Sequence, residues 1–185
     1  MDPKDTLREE HGAIMRMLAV LQQFFAKLVD LREGEAKDLE ALVEFFEIYV
    51  DRYHHGKEEQ HLFPALSRAR TPNIDSLIRS LLDDHCQARR HMEQIKSHAP
   101  AVHSLTGVDR NELGEGAQRY VELVRKHIRK ENSELLPLIE ERLSEIERLQ
   151  MADRFHDLEK AILGSSGLET FLACLRTLTR KYSPQ

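Results

Sequence analysis

Residues 54–67 read HHGKEEQHLFPALS, and residues 127–140 read HIRKENSELLPLIE. Laid over one another, they pair His54 with His127, Lys57 with Lys130, Glu58 with Glu131, Leu62 with Leu135 and Pro64 with Pro137, at a constant offset of 73. Upstream, REEH ending at His11 pairs with LDDH ending at His85, at an offset of 74. Each half of the chain therefore reads acidic-acidic-His, then about forty residues, then His-x-x-x-Glu. Two matches at nearly one offset are the mark of a duplicated helix pair.

The rest of the chain reads as helices around that repeat. Asp2-Pro3 is a helix entry with Pro at the first helical position, followed by Leu7, Ile14, Leu18, Leu21 and Phe25 at helical spacing up to Gly34. A second pattern runs from about Asp38 to Leu66, and a third starts at Thr71-Pro72 and reaches about Lys96. SHAPAVHSLTG is a loop, and Asp109 with Glu112 is a capping box for a fourth helix. Ser144-Glu147 and Ser166-Glu169 open two more helices, separated by Gly164-Ser-Ser-Gly167. No segment has a strand pattern. The fold expected is all-α: an up-down four-helix bundle over residues 1–143, with a C-terminal helical hairpin, 144–185, packed on it.

Composition narrows the class. Charged residues make up 32 % and aromatics 6 %, with no Trp and few Gly or Pro, as in helical proteins. Lys and Arg total 27 against 32 Asp and Glu, a formal charge of −5, so no basic excess points to nucleic acid. No apolar run approaches the roughly 20 residues of a membrane span. The charged N-terminus shows no secretory signal, and Cys86 and Cys174 are too few for a disulfide framework. A cytoplasmic protein is expected. Ten histidines are the compositional excess.

The repeat selects among those histidines. Among the candidate ligands of this stretch, only His54, Glu58, His127 and Glu131 keep their chemistry in both copies; His55 has Ile128 opposite it, Glu59 has Asn132, and His61 has Glu134. On a helix, positions i and i+4 lie ~40° apart, so each His-x-x-x-Glu presents both side chains on one face. His55 lies ~100° round the helix and is not expected to point inward. With His11 and His85, each of four helices supplies an imidazole and two also supply a carboxylate. Six such groups are costly to bury without a cation, and mixed N and O donors suit iron, manganese or zinc. Shared equally, they serve two ions, each with two His nitrogens and an oxygen from each bridging Glu. An oxo or hydroxo bridge then leaves octahedral iron one open position.

His11, His54-x-x-x-Glu58, His85 and His127-x-x-x-Glu131, with Leu-Phe-Pro after the first Glu, resemble the hemerythrin-like (HHE cation-binding) domain over roughly residues 5 to 143. The resemblance implies a four-helix bundle around a non-haem di-iron centre, with zinc or manganese as substitutes, and chemistry of O₂ or NO. The O₂ carriers have His-x-x-x-His on the third helix, where this chain has Arg89 four residues after His85. They have His-x4-Asp on the last, where it has Glu131 at i+4 and Asn132 at i+5. These departures place it with the bacterial four-His, two-Glu type.

The function expected is a di-iron protein that binds, senses or handles O₂, NO, peroxide or iron itself. The alternatives are a di-iron oxidoreductase, peroxidase or NO-reducing, and an interaction module that metal only stabilises. No flavin motif or CxxC marks an electron-donor site, which favours the first. The C-terminal helices are the expected surface for a homodimer. Asp51 and Arg89 lie on or near the ligand faces, as supports of the ligands or as solvated charges, and Arg89 takes the place of the carriers' fifth histidine.

Overall fold

The computed structural model describes residues 1–27, 35–68, 71–98 and 107–182, and every element among them is helical. Gly34, most of the 97–107 loop and His103 lie outside the described residues. Helix α1 is Pro3–Ala26, entered as expected: Asp2 accepts from the Lys4 amide at 2.9 Å and Pro3 opens the first turn. Helix α2 covers 35–67 and is assembled from Glu35–Glu44, two π-helical stretches (Phe45–His55 and Glu58–Leu62) and Phe63–Ser67. Helix α3 is Pro72–His98. Helix α4 covers 107–142, from Gly107–Lys130 through a π-helical Glu131–Leu135 into Leu136–Arg142. Helices α5, Glu145–Leu163, and α6, Gly167–Tyr182, form the hairpin.

Several boundaries differ from expectation. Helix α2 begins at Glu35 rather than near Asp38, and α3 runs on through Ser97 and His98. Helix α4 begins at Gly107, which puts Asp109 inside its first turn instead of at its cap. The Ser144-Glu147 capping box is present, with Glu147 accepting from the Ser144 amide at 2.9 Å. Gly164 ends α5 at φ 71°, a left-handed backbone that glycine adopts without penalty.

The π-helical turns at Glu58–Leu62 and Glu131–Leu135 have a local cause. Proline lacks an N–H and its ring crowds the carbonyl four residues back. A helix that must pass Pro64 or Pro137 relieves this by widening one turn. The Phe63 amide donates to the Glu58 carbonyl and the Leu136 amide to the Glu131 carbonyl, each a five-residue step. The duplicated prolines thus put a wide turn at each repeat glutamate.

The core is two apolar clusters with a polar layer between them. One contains Ile14, Leu18, Phe46, Val50, Met92, Val121 and Val124; the other contains Leu7, Leu62, Leu66, Ile78, Leu81, Leu135 and Ile139. Each helix crosses from one to the other: α1 between Leu7 and Ile14, α2 between Tyr53 and Leu62, α3 between Leu81 and Ala88, α4 between Ile128 and Leu135. The direction alternates helix by helix, which is the up-down topology. The hairpin belongs to the same core, with Met151 and Phe155 in one cluster and Leu175, Leu178 and Tyr182 in the other. Tyr182 anchors its end, its ring edge-on to Phe24 and its hydroxyl donating to Asp38 at 2.6 Å. Leu18 is fully buried, so its truncation to Ala would cost about 2–5 kcal/mol. No helix among the described residues is long and apolar enough to cross a membrane.

Candidate metal centre

The crossing points are where the six repeat residues sit. His11, His54, Glu58, His85, His127 and Glu131 are all buried and come together in the polar layer. Each glutamate faces two histidines from different helices. Glu131 lies 3.1 Å from His11 Nε2 through one oxygen and 2.9 Å from His127 Nε2 through the other. Glu58 lies 3.9 Å from His54 Nε2 and 3.4 Å from His85 Nε2 in the same way. The layer therefore divides into two donor sets that share both carboxylates: His11 and His54 on one side, His85 and His127 on the other.

Every imidazole is held from behind. His54 Nδ1 donates to Glu10 at 2.8 Å, His127 Nδ1 to Asp84 at 3.4 Å, His11 Nδ1 to Asn132 at 3.0 Å and His85 Nδ1 to Glu59 at 2.7 Å. With Nδ1 carrying the proton, Nε2 carries the lone pair and points inward. This is the outer-shell arrangement that fixes the tautomer of a metal-ligating histidine. A ring of cations backs the carboxylates. Lys57 donates to Glu10, Lys130 to Asp84 at 2.8 Å, and Arg89 to both Asp51 and Glu59 at 2.6 Å.

Most of the inward atoms lack a hydrogen bond. His11 Nε2, His54 Nε2 and both oxygens of Glu58 and Glu131 are buried without a hydrogen bond. The Nε2 atoms of His85 and His127 face each other at 3.1 Å. Buried lone pairs left without a donor are costly unless a cation sits among them. The donor set fits borderline first-row metal ions.

Protonation shows the same tension. Burial pushes Glu58 well above the usual carboxylate range, and the neighbouring Glu131 adds to it. Burial acts on Glu131 too, but His127 and His11 outweigh it and hold Glu131 well below that range. Burial lowers His54 to about 4 and takes His85 well below the usual imidazole range. His127 goes the other way, to about 9, because Glu131 and Asp84 outweigh its burial.

Two expectations need correction. His55 is not turned away: it is 3 % exposed, and its ring stacks on His85 at 3.7 Å. It ends a π-helical stretch, where successive residues turn through a smaller angle than in an α-helix, so His54 and His55 both face inward. Arg89 does not face the metal layer; its side chain is 41 % exposed and is committed to Asp51 and Glu59. His61 is half-buried, and Cys86, His98 and His156 are exposed.

The holding residues were within reach of the repeat. Glu10 and Asp84 are counterparts at offset 74; Lys57 and Lys130, and Glu59 and Asn132, are counterparts at offset 73. Counterparts make equivalent contacts: Glu10 and Asp84 hold a histidine and a lysine of their own half, and Glu59 and Asn132 hold a histidine of the other half. The centre has a pseudo-twofold axis that includes its supports. The offsets of 73 and 74 that mark the six central residues mark these supports as well.

Two cavities reach the layer. One of about 220 Å³ lies between α2, α3 and α4, lined by Phe46, Val50, Tyr120 and Arg89, and ends on His55. The other, about 750 Å³, lies between α1, α2 and the hairpin and ends on Glu10 and Lys57, behind His54. Buried Tyr53 lines it, donating to Glu159 at 2.9 Å, and Lys57 Nζ sits 3.7 Å over the Tyr53 ring.

Comparison with known proteins agrees with this geometry. The family model described as Hemerythrin HHE cation binding domain matches residues 2–139. Uncharacterised proteins of Mycobacterium bovis and Mycobacterium tuberculosis are each 24 % identical over 169 residues, covering 91 % of this chain and 65 % of the relative. A protein of Nostoc sp. named DNA nickase is 26 % identical over 157 residues, 84 % of this chain and 38 % of that protein. The chain thus spans less than two thirds of the length of the curated relatives it matches. No solved structure matches it.

Proposed function

This chain belongs to the hemerythrin HHE cation-binding domain family, and from that premise we propose that its polar layer holds two metal ions, iron first among them, and handles a small molecule there. His11 and His54 serve one ion and His85 and His127 the other, with Glu58 and Glu131 bridging both. The observation that carries this is the division of each carboxylate, one oxygen toward each histidine pair, with all four oxygens lacking a hydrogen bond. When bound, two iron ions supply redox capacity and coordination positions for O₂, NO or peroxide.

The protein's own residues do the rest. Glu10, Asp84, Glu59 and Asn132 fix four imidazoles with Nε2 inward, so little reorganisation is needed on metal binding. The two apolar clusters exclude water above and below the layer. The 220 Å³ cavity has room for several waters or a diatomic molecule. The deciding experiment supplies iron during expression and measures metal content and the optical spectrum before and after O₂ and NO. About two irons per chain and a spectrum that responds to either gas are expected. One ion or none under saturating iron would overturn the two-ion reading. Sustained turnover of peroxide or NO would move the protein to the oxidoreductase alternative.

A further inference from the structure

We propose that His55, turning from its stack on the His85 ring, is a fifth imidazole ligand that joins His85 and His127 at one ion, and that Asp51 and Arg89 are positioning residues that aim it. This rests on the two-ion reading and adds an asymmetry to it.

Three observations converge. The first is place. A ring nitrogen from each of His55, His85 and His127 lies within 4.8 Å of the others, and all three side chains are buried. The second is the backing. His55 Nδ1 faces Asp51 at 3.4 Å, the same spacing as His127 and Asp84, and Asp51 accepts from Arg89 at 2.6 Å. His55 therefore has the support that the other four histidines have: an oxygen behind Nδ1, leaving Nε2 as the lone pair. Arg89 binds Glu59 as well, so one guanidinium holds the carboxylates behind both His55 and His85.

The third is the break in symmetry. The pseudo-twofold relation carries Asp51 to Val124, His55 to Ile128 and Arg89 to Met15. All three counterparts are apolar, and Val124 and Ile128 are buried. The other half of the bundle fills the same space with hydrocarbon, so packing alone does not require a histidine at position 55. An imidazole, its carboxylate and the cation behind that carboxylate occur together on one side of the layer, and their three counterparts on the other side are all apolar. A ligand needs all three; a filler needs none.

The ion at His85 and His127 then has three nitrogens, while the ion at His11 and His54 keeps two. His55 lines the 220 Å³ cavity.

The test uses the full chain loaded with cobalt(II). A histidine that ligates through Nε2 gives one hyperfine-shifted, exchangeable Nδ1–H resonance, so the unmodified protein should show five. Two bound cobalt ions with only four such resonances would overturn this proposal and leave the two-ion reading intact. Failure to bind cobalt at all would overturn both. His55→Ile copies the residue that the counterpart position already carries. It should keep the helical content of the metal-free protein and bind one ion as before, with the second weakened at least tenfold. His55→Gln, polar and of similar reach, should weaken it likewise; unchanged affinity for both ions in either variant would overturn the proposal. Asp51→Ala should keep all five resonances yet weaken the same ion about tenfold to a hundredfold. A merely structural role for Asp51 would instead lower the unfolding midpoint and leave affinity alone.

Discussion

Lys57 donates to Glu10 where neither side chain reaches solvent, their exposures being 1 % and 6 %. Burial lowers the Lys57 pKa, and Glu10 opposes that; the Glu10 pKa is lowered because His54 and Lys57 outweigh its own burial. Each charge is held by the other, and Glu10 in turn holds His54. Removing one partner of a buried pair leaves the other uncompensated, at about 3–5 kcal/mol. Lys57→Met should cost that much in denaturant unfolding. Pairing it with Glu10→Gln should recover part of the loss. Lys130 is 19 % exposed, so Lys130→Met should cost about 1 kcal/mol or less. Equal losses for the two lysines would show that burial does not distinguish the halves.

Glu58 and Glu131 should behave alike toward metal and differently without it. Each faces both histidine pairs, so Glu58→Gln and Glu131→Gln should each lose both ions. The unmodified protein should gain about 4 kcal/mol at a metal concentration a thousand times Kd, and neither variant should show that gain. Without metal, Glu58 is held toward its neutral form, which an amide imitates, so Glu58→Gln should change stability little. Glu131 is held as a carboxylate by His127 and His11, and Glu131→Gln should cost about 3 kcal/mol. Thermal unfolding with and without chelator measures all four terms; equal costs in the chelated state would contradict the assigned protonation.

Much of this was legible in the residues because duplication doubles the evidence for any position. The all-α bundle followed from apolar spacing and caps, and Asp2, Ser144 and Gly164 do at their helix ends what their chemistry suggests. The six central side chains stood out because each recurs in the second half. His55 did not, because Ile128 opposes it and an α-helical wheel turns it outward. The wheel fails there because Phe45–His55 is π-helical, and apolar periodicity carries no direct signal of that winding. Pro64 and Pro137 did carry a signal for the later wide turns, since each stands six residues after a repeat glutamate. Arg89 stands where the resemblance puts a fifth histidine, but two carboxylates on α2, Asp51 and Glu59, draw its guanidinium outward.

Stability of the chelator-treated protein should peak near neutral pH. His54 is lowered to about 4, so the unfolded chain takes up this proton first as pH falls. That contribution is complete above about 6.5 and lost as pH falls to about 4, on the order of 3 kcal/mol. His55 and His85 are lowered as well and act in the same direction. Glu58, raised by burial, opposes them as pH climbs above 4.5, one carboxyl against three imidazoles. His127 is raised to about 9, so its contribution is complete below about 6.5 and lost as pH rises to about 9. Urea midpoints at pH 5, 7 and 9 should be highest at 7. A midpoint at pH 5 equal to that at pH 7 would mean the buried imidazoles are already charged.

The two prolines should matter more to the metal than to the fold. Pro64 and Pro137 exclude the ordinary four-residue hydrogen bond and leave Glu58 and Glu131 at the start of wide turns, their carbonyls accepting from Phe63 and Leu136. Alanine at either position removes the steric cause and restores a donor, so the helix is free to tighten. Intrinsic propensity favours alanine over proline in a helix interior by up to about 3 kcal/mol. Pro64→Ala and Pro137→Ala should therefore leave the metal-free unfolding midpoint unchanged or higher. Tightening would turn each glutamate away from the pair of histidines it faces, Glu58 from His54 and His85, Glu131 from His127 and His11. Because each carboxylate serves both sides of the layer, one substitution should weaken both ions, by about tenfold or more, the loss typical of displacing a supporting group. Competition with a chromophoric chelator reads the affinity. Raised stability with unchanged affinity in both variants would show that the wide turns are a by-product of proline and play no part in aiming the carboxylates.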